Sequence, residues 1–584
     1  MNSNPISTEI KAKSKLLYDL LQDLNHVKEI LPWFKDFCKY LSETIICIKE
    51  WCMEIPRESY SKNSLILYLL QLVAILANLI NIFVKEFELK QQINQSRNFI
   101  KKNLINCLDG IIDVLISQKS VVQSSNFITF MDSALDKIHS LPCSEDGHLV
   151  KNFFDCKSIF EDVLGHAMSI AQVALIEDSK IIRGSAQMVL EALDLLFREI
   201  HKHPLNKAMV QLYSNLCNDR LCSLERKINN TILKLALKVF LEYTDHIEAI
   251  ATFCLNNSNR HNMEELDAKV VDFDLHVDRI IQIGLFAVSC CSNTYDGVKI
   301  QSCLASLEAL ETELVPAFTA VLKNPTNENL SHSFILKLNW LHQANKLKTY
   351  IFHVIDPYAF CKIVSIEANQ YIEQISEAIR SESFSDINKL VQELIKVSNV
   401  LNMFISTTLE RSDNNIEKIK PIFDNFLKVH HEVKSAKDIL LKEPCRHPES
   451  FLRVLKRCKL LGNQMKAMYC FLEEESVPEK SNNSLQLPTL ESNKQQKQSV
   501  GFPLIEHIIN RGQQILQERS ILYPSKINKV DGENMLQPNL FNSKCKSLRK
   551  MSFINVLVKK EASFDLQITD ILNELTIIGS SFKE

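Results

Sequence analysis

Glycine is the residue that this sequence most lacks, since only 11 of its 584 residues are glycine. An average protein contains about 7% glycine. Phosphate-binding loops, tight β-hairpins and dinucleotide-binding turns need glycine, because it adopts positive φ angles without steric cost. The motifs G-x-x-x-x-G-K, G-x-G-x-x-G and G-x-S-x-G do not occur. This scarcity excludes the common nucleotide-binding and hydrolase classes.

Proline is also scarce, and three long stretches contain none: 57–141, 205–315 and 358–420. Helices can run through such stretches, because proline in a helix interior breaks the helix. One apolar stripe of helical period lies in 385–409, formed by Ile387, Leu390, Val391, Leu394, Ile395, Leu401, Phe404 and Ile405. Similar segments are joined by short polar loops, which predicts an all-α fold of antiparallel bundles. An α-solenoid is the alternative, although no fixed-period repeat is present.

The cysteines lack the spacing of a metal or redox site. There are 17, and no C-x-x-C pair occurs among them, which excludes a zinc ribbon and a thioredoxin-type motif. We expect reduced thiols that pack as small apolar side chains. The N-terminal residues 1–15 lack the apolar core of a secretory signal. The expected compartment is therefore the cytoplasm.

The charged and titratable residues form no pattern that predicts a catalytic centre. The net charge of -3 offers no basic footprint, so we expect no nucleic-acid partner. The acidic segment 272–278 places its acids on the solvated side of an amphipathic helix, and we expect no metal there. The histidine pairs 201/203 and 430/431 lack the i, i+4 spacing of helical metal ligands. We expect a non-enzymatic protein without catalytic residues or cofactor.

An apolar run from Leu65 to Val84 contains twenty residues and no charge. That length is enough to span a membrane. Four polar side chains and the following lysine, however, fall along one stripe of a helix: Tyr68, Gln71, Asn78, Asn81 and Lys85. An ordered polar edge is typical of a helix buried inside a bundle. The pattern favours a core helix over a membrane span.

A basic segment near the end of the chain is a candidate membrane-binding site. From Lys544 to Lys560 there are six basic residues and no acid, around the apolar run 551–558. Each basic side chain near an anionic leaflet contributes about 1 kcal/mol. The candidate residues are Lys544, Lys546, Arg549, Lys550, Phe553, Leu557, Lys559 and Lys560. The alternative is a buried strand or helix with charged ends.

Composition and loop positions predict six regions. The clearest boundary is the polar stretch after "FLEEE", whose Ser, Asn, Gln and Lys cannot bury enough surface to fold. The predicted regions are an N-terminal bundle at 1–145, a second bundle at 146–260, two middle bundles at 261–357 and 358–475, a flexible linker at 476–502 and a short C-terminal segment at 503–584.

The ordered series of helices and turns over 245–473 resembles the middle region of the α-catenin and vinculin family. A helix led by His276 ends in a polar turn with Asp296, Gly297 and Val298. The next helix contains Leu-Glu-Ala-Leu at 307–310 and a proline, Pro316. The segments 384–405 and 416–436 and the proline-marked 442–461 follow in the same order. The resemblance implies successive antiparallel four-helix bundles.

The resemblance also implies a function. Members of this family are cytoskeletal adaptors, so we expect actin filaments, bound directly or through a partner, together with cytoskeletal or junctional proteins. The basic segment Lys544–Lys560 separately predicts acidic membrane lipids as a further partner. The layout is most similar to an insect branch of the family that organises cortical actin beneath the plasma membrane as a syncytial embryo forms cells. This implies a cytoplasmic protein, peripheral at the inner face of that membrane.

The sequence departs from the family pattern after the linker. Only 503–584 follows it, too little for the five-helix actin-binding tail of α-catenin and vinculin, and Leu522–Phe541 is not helical in pattern. We therefore assign no actin-binding residues. The alternative function is an α-solenoid scaffold for transport or complex assembly.

Overall fold

The computed structural model describes residues 5–27, 29–53, 60–117, 127–143, 148–256, 263–291, 293–381, 383–410, 419–442, 448–476, 502–517 and 564–581. Within these ranges the regular elements are helices. Their bounds are α1 Pro5–Asp23, α2 Ile30–Met53, α3 Tyr60–Leu89, α4 Asn94–Ser117, α5 Phe127–Ser140, α6 Leu149–Val173, α7 Ile176–Ile200, α8 Lys207–Glu242, α9 Asp245–Asn256, α10 Met263–Cys290, α11 Thr294–Lys323, α12 Asn327–Val354, α13 Pro357–Arg380, α14 Phe384–Leu409, α15 Lys420–Lys442, α16 Pro448–Ser476, α17 Phe502–Gln517 and α18 Phe564–Ser581.

Short polar side chains begin several of these helices. The side chain of Asn206 accepts hydrogen bonds from the first backbone N–H groups of α8, and that of Thr326 does the same for α12. Asp356 caps α13, whose first residue is Pro357. Such caps satisfy N–H groups that have no partner within the helix, and proline is well suited to the first helical position. The loops between these helices are therefore short and well defined.

The helices pack in groups of four neighbours. The first group is α1–α4, the second α5–α8, the third α9–α12 and the fourth α13–α16. The all-α, multi-bundle prediction is confirmed. A solenoid repeat contacts only its neighbours, whereas here α3 packs on α11 and α18 packs on α2. The region boundaries drawn from the sequence stay a prediction. Of the predicted linker 476–502, residues 477–501 lie outside the described residues.

Helix α8 is the longest described helix, with 36 residues, and it contacts more than one bundle. It packs with α5 and α7 and also reaches α10, α13 and α14. An aromatic cluster fills this junction. The ring of Phe352 lies 5.0 Å from that of Phe240 and 5.2 Å from that of Phe404, in edge-to-face geometry. Such aromatic pairs stabilise packing beyond their buried area.

Helix α3 is a core helix, as its sequence predicts. Among the described residues, Lys62–Leu89 is the one helix long and apolar enough to cross a membrane, and 83% of its most apolar window is buried in the protein. Its apolar faces pack on α2 and α4, on α11 and α12, and on α18. The chain itself therefore provides the cover that a bilayer would otherwise give.

We expect replacement of Leu394 by alanine to destabilise the fourth bundle by about 2–5 kcal/mol, the usual range for a buried leucine. The side chain of Leu394 is 0% exposed in the core around α14. Chemical denaturation of the full chain, followed by helical circular dichroism, measures the change.

The matched control is Leu452→Ala, because Leu452 on α16 is 54% exposed. This change should alter stability by no more than about 0.5 kcal/mol. Equal unfolding midpoints for the two variants would contradict the assignment of Leu394 to the core.

Candidate functional site

The candidate functional site is the junction between the first and third bundles, where α3 meets α11 and α12. Gln71 of α3 is buried, and its Nε2 donates hydrogen bonds to the backbone carbonyl of Ser302, to the Ser302 hydroxyl at 2.8 Å and to the Ser306 hydroxyl at 3.1 Å. A buried amide left without partners would be costly, so these bonds fix how α3 is placed on α11.

Further polar contacts continue along the same junction. Asn81 Nδ2 donates to Asn339 Oδ1 of α12 at 3.2 Å. One turn into α4, the Ser96 hydroxyl lies 2.8 Å from Nδ1 of His332. Burial lowers the pKa of His332 to about 4, so this imidazole is neutral at physiological pH. Gln71 and Asn81 of the polar stripe thus lie where two bundles join, whereas Tyr68 packs on Gly110 of α4.

The C-terminal helix α18 packs against the same junction. Its Ile568, Ile571 and Leu575 are buried in the core formed by the first bundle. Lys346 of α12 forms a salt bridge with Glu574 at 3.4 Å. Tyr295, at the start of α11, belongs to this core, and its pKa is raised by burial and by the carboxylate of Asp570. Helix α18 therefore contacts both bundles.

The other late helix, α17, packs on α6 of the second bundle. Arg511 forms a salt bridge with Asp162, and Gln172 donates a hydrogen bond to the carbonyl of Ile509 at 3.4 Å. A Cβ atom at position 512 would lie 3.0 Å from the backbone nitrogen of Ser169. Glycine is therefore needed at this crossing, since the two backbones approach too closely for a side chain.

A buried ion pair supports the turn between α3 and α4. The guanidinium of Arg97 donates to both carboxylate oxygens of Glu86, at 2.8 Å to Oε1 and 2.6 Å to Oε2, and to the carbonyl of Leu24 at 2.7 Å. Arg97 is 1% exposed. Removing one partner of such a pair leaves an uncompensated buried charge, which is strongly destabilising. This pair was not predictable from the sequence, because a single arginine in a helix carries no signal of burial.

A charged side chain also connects the third bundle to the fourth. Lys348 of α12 is 4% exposed, and its ammonium lies 4.4 Å from the ring centre of Tyr243 and 3.8 Å from Sδ of Met403 in α14. Burial lowers the pKa of this lysine. Cation–π contact partly compensates the lost hydration.

The titratable groups converge on no reaction centre in the described part of the chain. No group of three or more His, Cys, Asp or Glu side chains there could hold a metal ion. The acidic segment 272–278 contains one buried histidine, His276, whose ring lies 4.5 Å from that of His246. Burial and the neighbouring His246 lower the pKa of His276 to about 3. Burial raises the pKa of the Cys52 and Cys156 thiols to about 12, which keeps them unreactive.

The residues predicted to bind membrane lie outside the described residues: Lys544, Lys546, Arg549, Lys550, Phe553, Leu557, Lys559 and Lys560. The polar stripe of α3 was recognised from sequence, but its partners were missed. Ser302 and Ser306 are four residues apart, which places them on one face of α11, and this spacing was the available signal.

Comparison with known proteins agrees with this architecture. A structure of a sponge vinculin homolog superposes with a TM-score of 0.57 at 14% identity, covering 82% of this chain and 60% of that chain. A vinculin sequence from Oscarella pearsei is 23% identical over 200 residues, 34% of this chain and 23% of the vinculin. The fold is therefore the multi-bundle fold of vinculin-type proteins.

Sequence comparison is more specific. A family model described as Serendipity locus alpha protein (SRY-A) matches residues 15–531. Serendipity locus protein alpha of Drosophila virilis is 26% identical over 415 residues, 68% of this chain and 71% of that protein. The protein of the same name from Drosophila subobscura is 24% identical over 287 residues, 48% of this chain and 49% of the relative. The chain belongs to the Serendipity locus alpha protein family.

We expect Gln71→Leu to destabilise the junction by about 1–3 kcal/mol, because the substitution leaves the Ser302 carbonyl and two buried hydroxyls without their donor. Hydrogen exchange of α3 and α11, read by mass spectrometry, should become faster in both helices together.

The control is Gln211→Leu, an exposed glutamine on α8 bonded to Asn215 within the same helix. It should leave exchange in α3 and α11 unchanged. If Gln71→Leu also left that exchange unchanged, the hydrogen bonds of Gln71 would not be what holds the two bundles together.

Proposed function

We propose that this protein is a non-enzymatic cytoskeletal adaptor that organises cortical actin at the inner face of the plasma membrane as a syncytial insect embryo forms cells. The observation that carries the proposal is family membership over residues 15–531. The vinculin-type arrangement of bundles supports an adaptor role, since such a protein acts through surfaces rather than through a reaction centre.

The expected partners are actin filaments and cytoskeletal or junctional proteins. Helices α17 and α18 pack back on the second and first bundles, so their apolar faces are already occupied. This favours recruitment of actin through a partner protein over direct binding by the segment after the linker.

We expect the purified chain to remain in the supernatant when filamentous actin is sedimented, and to pellet with filaments once embryo extract is added. An actin-binding vinculin tail is the positive control. Sedimentation of the pure chain with filaments, saturating with actin concentration, would contradict recruitment through a partner and would favour direct binding.

The attachment to the membrane is the second part of the proposal. The basic segment Lys544–Lys560 combines six positive charges with an apolar run, and we propose that it binds acidic lipid with Phe553 and Leu557 inserted. Binding of this kind weakens with added salt, because charges at a surface are screened over about 8 Å at physiological ionic strength.

We expect wild type to co-sediment with vesicles that contain phosphatidylserine, and the variant with all six bases of this segment changed to glutamine to lose at least tenfold in affinity. Vesicles of phosphatidylcholine alone should bind neither protein. Equal binding of the two proteins, or binding indifferent to salt, would refute the assignment.

A charge-matched variant tests whether vesicle binding depends on this segment or only on the net charge of the protein. Six exposed lysines elsewhere are changed to glutamine, and this variant should bind vesicles nearly as wild type does. The six are Lys11, Lys15, Lys180, Lys207, Lys420 and Lys459.

A further inference from the structure

A cavity of about 290 Å³ lies where α3 meets α9, α11 and α12. Its walls are mainly apolar and include Leu255, Phe318, Val321 and Phe334. Helix α3 belongs to the first bundle and the other three helices to the third. A group bound in this cavity would therefore contact two bundles at once.

The charged side chains that line the cavity are both positive. Lys85 of α3 lies over the ring of Phe334, 5.4 Å from its centre, and Lys337 of α12 is on the same lining. No carboxylate is among the lining residues. The cavity is thus apolar with a cationic edge.

Each lysine has an exposed acidic neighbour. Lys85 pairs with Glu88 at 2.8 Å and Lys337 with Glu248 at 2.7 Å, and the two carboxylates are 56% and 47% exposed. The two lysine side chains are less exposed, at 30% and 16%. Because both carboxylates reach solvent, water and salt compete for these pairs. A carboxylate on a bound partner can compete for either lysine in the same way.

Large apolar side chains are exposed around the cavity. Leu255 is 56% exposed and Phe334 is 43% exposed. Leu338 is also 43% exposed and follows Phe334 by one helical turn, which places the two on one face of α12. Exposed apolar surface of this kind, edged by polar residues, is typical of protein interaction sites.

We propose that this cavity is a docking site for a partner segment in which one large apolar side chain is flanked by acidic residues. The apolar side chain occupies the cavity, and the acidic side chains pair with Lys85 and Lys337. An apolar cavity of about 150 Å³ holds benzene, so a cavity of about 290 Å³ has room for one large aromatic side chain.

This site follows from the cavity and its charges, and it does not depend on the proposed role in actin organisation. A partner bound here would bridge α3 and the third bundle, one helical turn from the hydrogen bond between Asn81 and Asn339. Binding should therefore slow hydrogen exchange in α3 and α12 together.

The test uses the full chain and three probes. They are a fluorescent peptide with a central tryptophan between two pairs of glutamates, its twin with glutamines at those four positions, and sodium decanoate. We expect the glutamate peptide to bind at least tenfold more tightly than the glutamine peptide in anisotropy titrations, with affinity that falls as salt is added. Absence of binding by the glutamate peptide at millimolar concentration would overturn the proposal.

Two variants locate the binding. In the double variant Lys85→Gln/Lys337→Gln, the glutamate peptide should bind no more tightly than the glutamine peptide. The control is Lys180→Gln, which removes an exposed lysine paired with Glu177 on α7. This control should leave the affinity for the glutamate peptide unchanged. Ala251→Phe fills the cavity and should abolish binding of both peptides.

Circular dichroism shows whether the Ala251→Phe variant folds. If that variant does not fold, the double lysine variant alone tests whether the peptide binds at this cavity. Peptide binding unchanged in the double lysine variant would overturn the proposal. Binding of decanoate without binding of either peptide would also overturn it and would assign the cavity to an acyl chain.

Discussion

The architecture depends on the need to bury α3 from all sides. This helix has twenty consecutive uncharged residues, more than one amphipathic face can hide, so three neighbours in its own bundle are not enough to cover it. Helices α11, α12 and α18 supply the remaining cover, and residues from all three belong to the first core. The first bundle is therefore joined to the third by hydrophobic burial, and the two are not independent units.

Polar groups at the bundle junctions give these contacts their specificity. Apolar surfaces alone would tolerate several placements of α3 on α11, since the hydrophobic effect is not directional. Gln71 permits one placement, in which its amide reaches Ser302 and Ser306. Lys348 has a comparable place between α12 and α14, with its ammonium against Tyr243 and Met403. The junctions are thus defined by a few buried polar side chains within large apolar contacts.

The sequence predicted the parts of the fold that are local. Helical period and the absence of proline identified the helices, and the polar stripe on α3 distinguished a core helix from a membrane span. The long-range pairing was not predictable. Gln71 and Ser302 are 231 residues apart, and which of many apolar faces covers α3 depends on shape complementarity that no periodicity encodes. The packing of α17 on α6 and the burial of Arg97 were not predicted for the same reason.

The contact between α18 and the first bundle has a consequence for how the protein is made. Ile568 and Ile571 complete a core whose other residues, such as Leu41 and Phe83, leave the ribosome far earlier. At about 5–20 residues per second, that interval is roughly 25 to 100 s. Throughout it, an apolar surface on α2 and α3 has no intramolecular cover and is open to aggregation or to a chaperone. Folding of the N-terminal bundle therefore depends on α18, because its core is not complete until that helix has been synthesised.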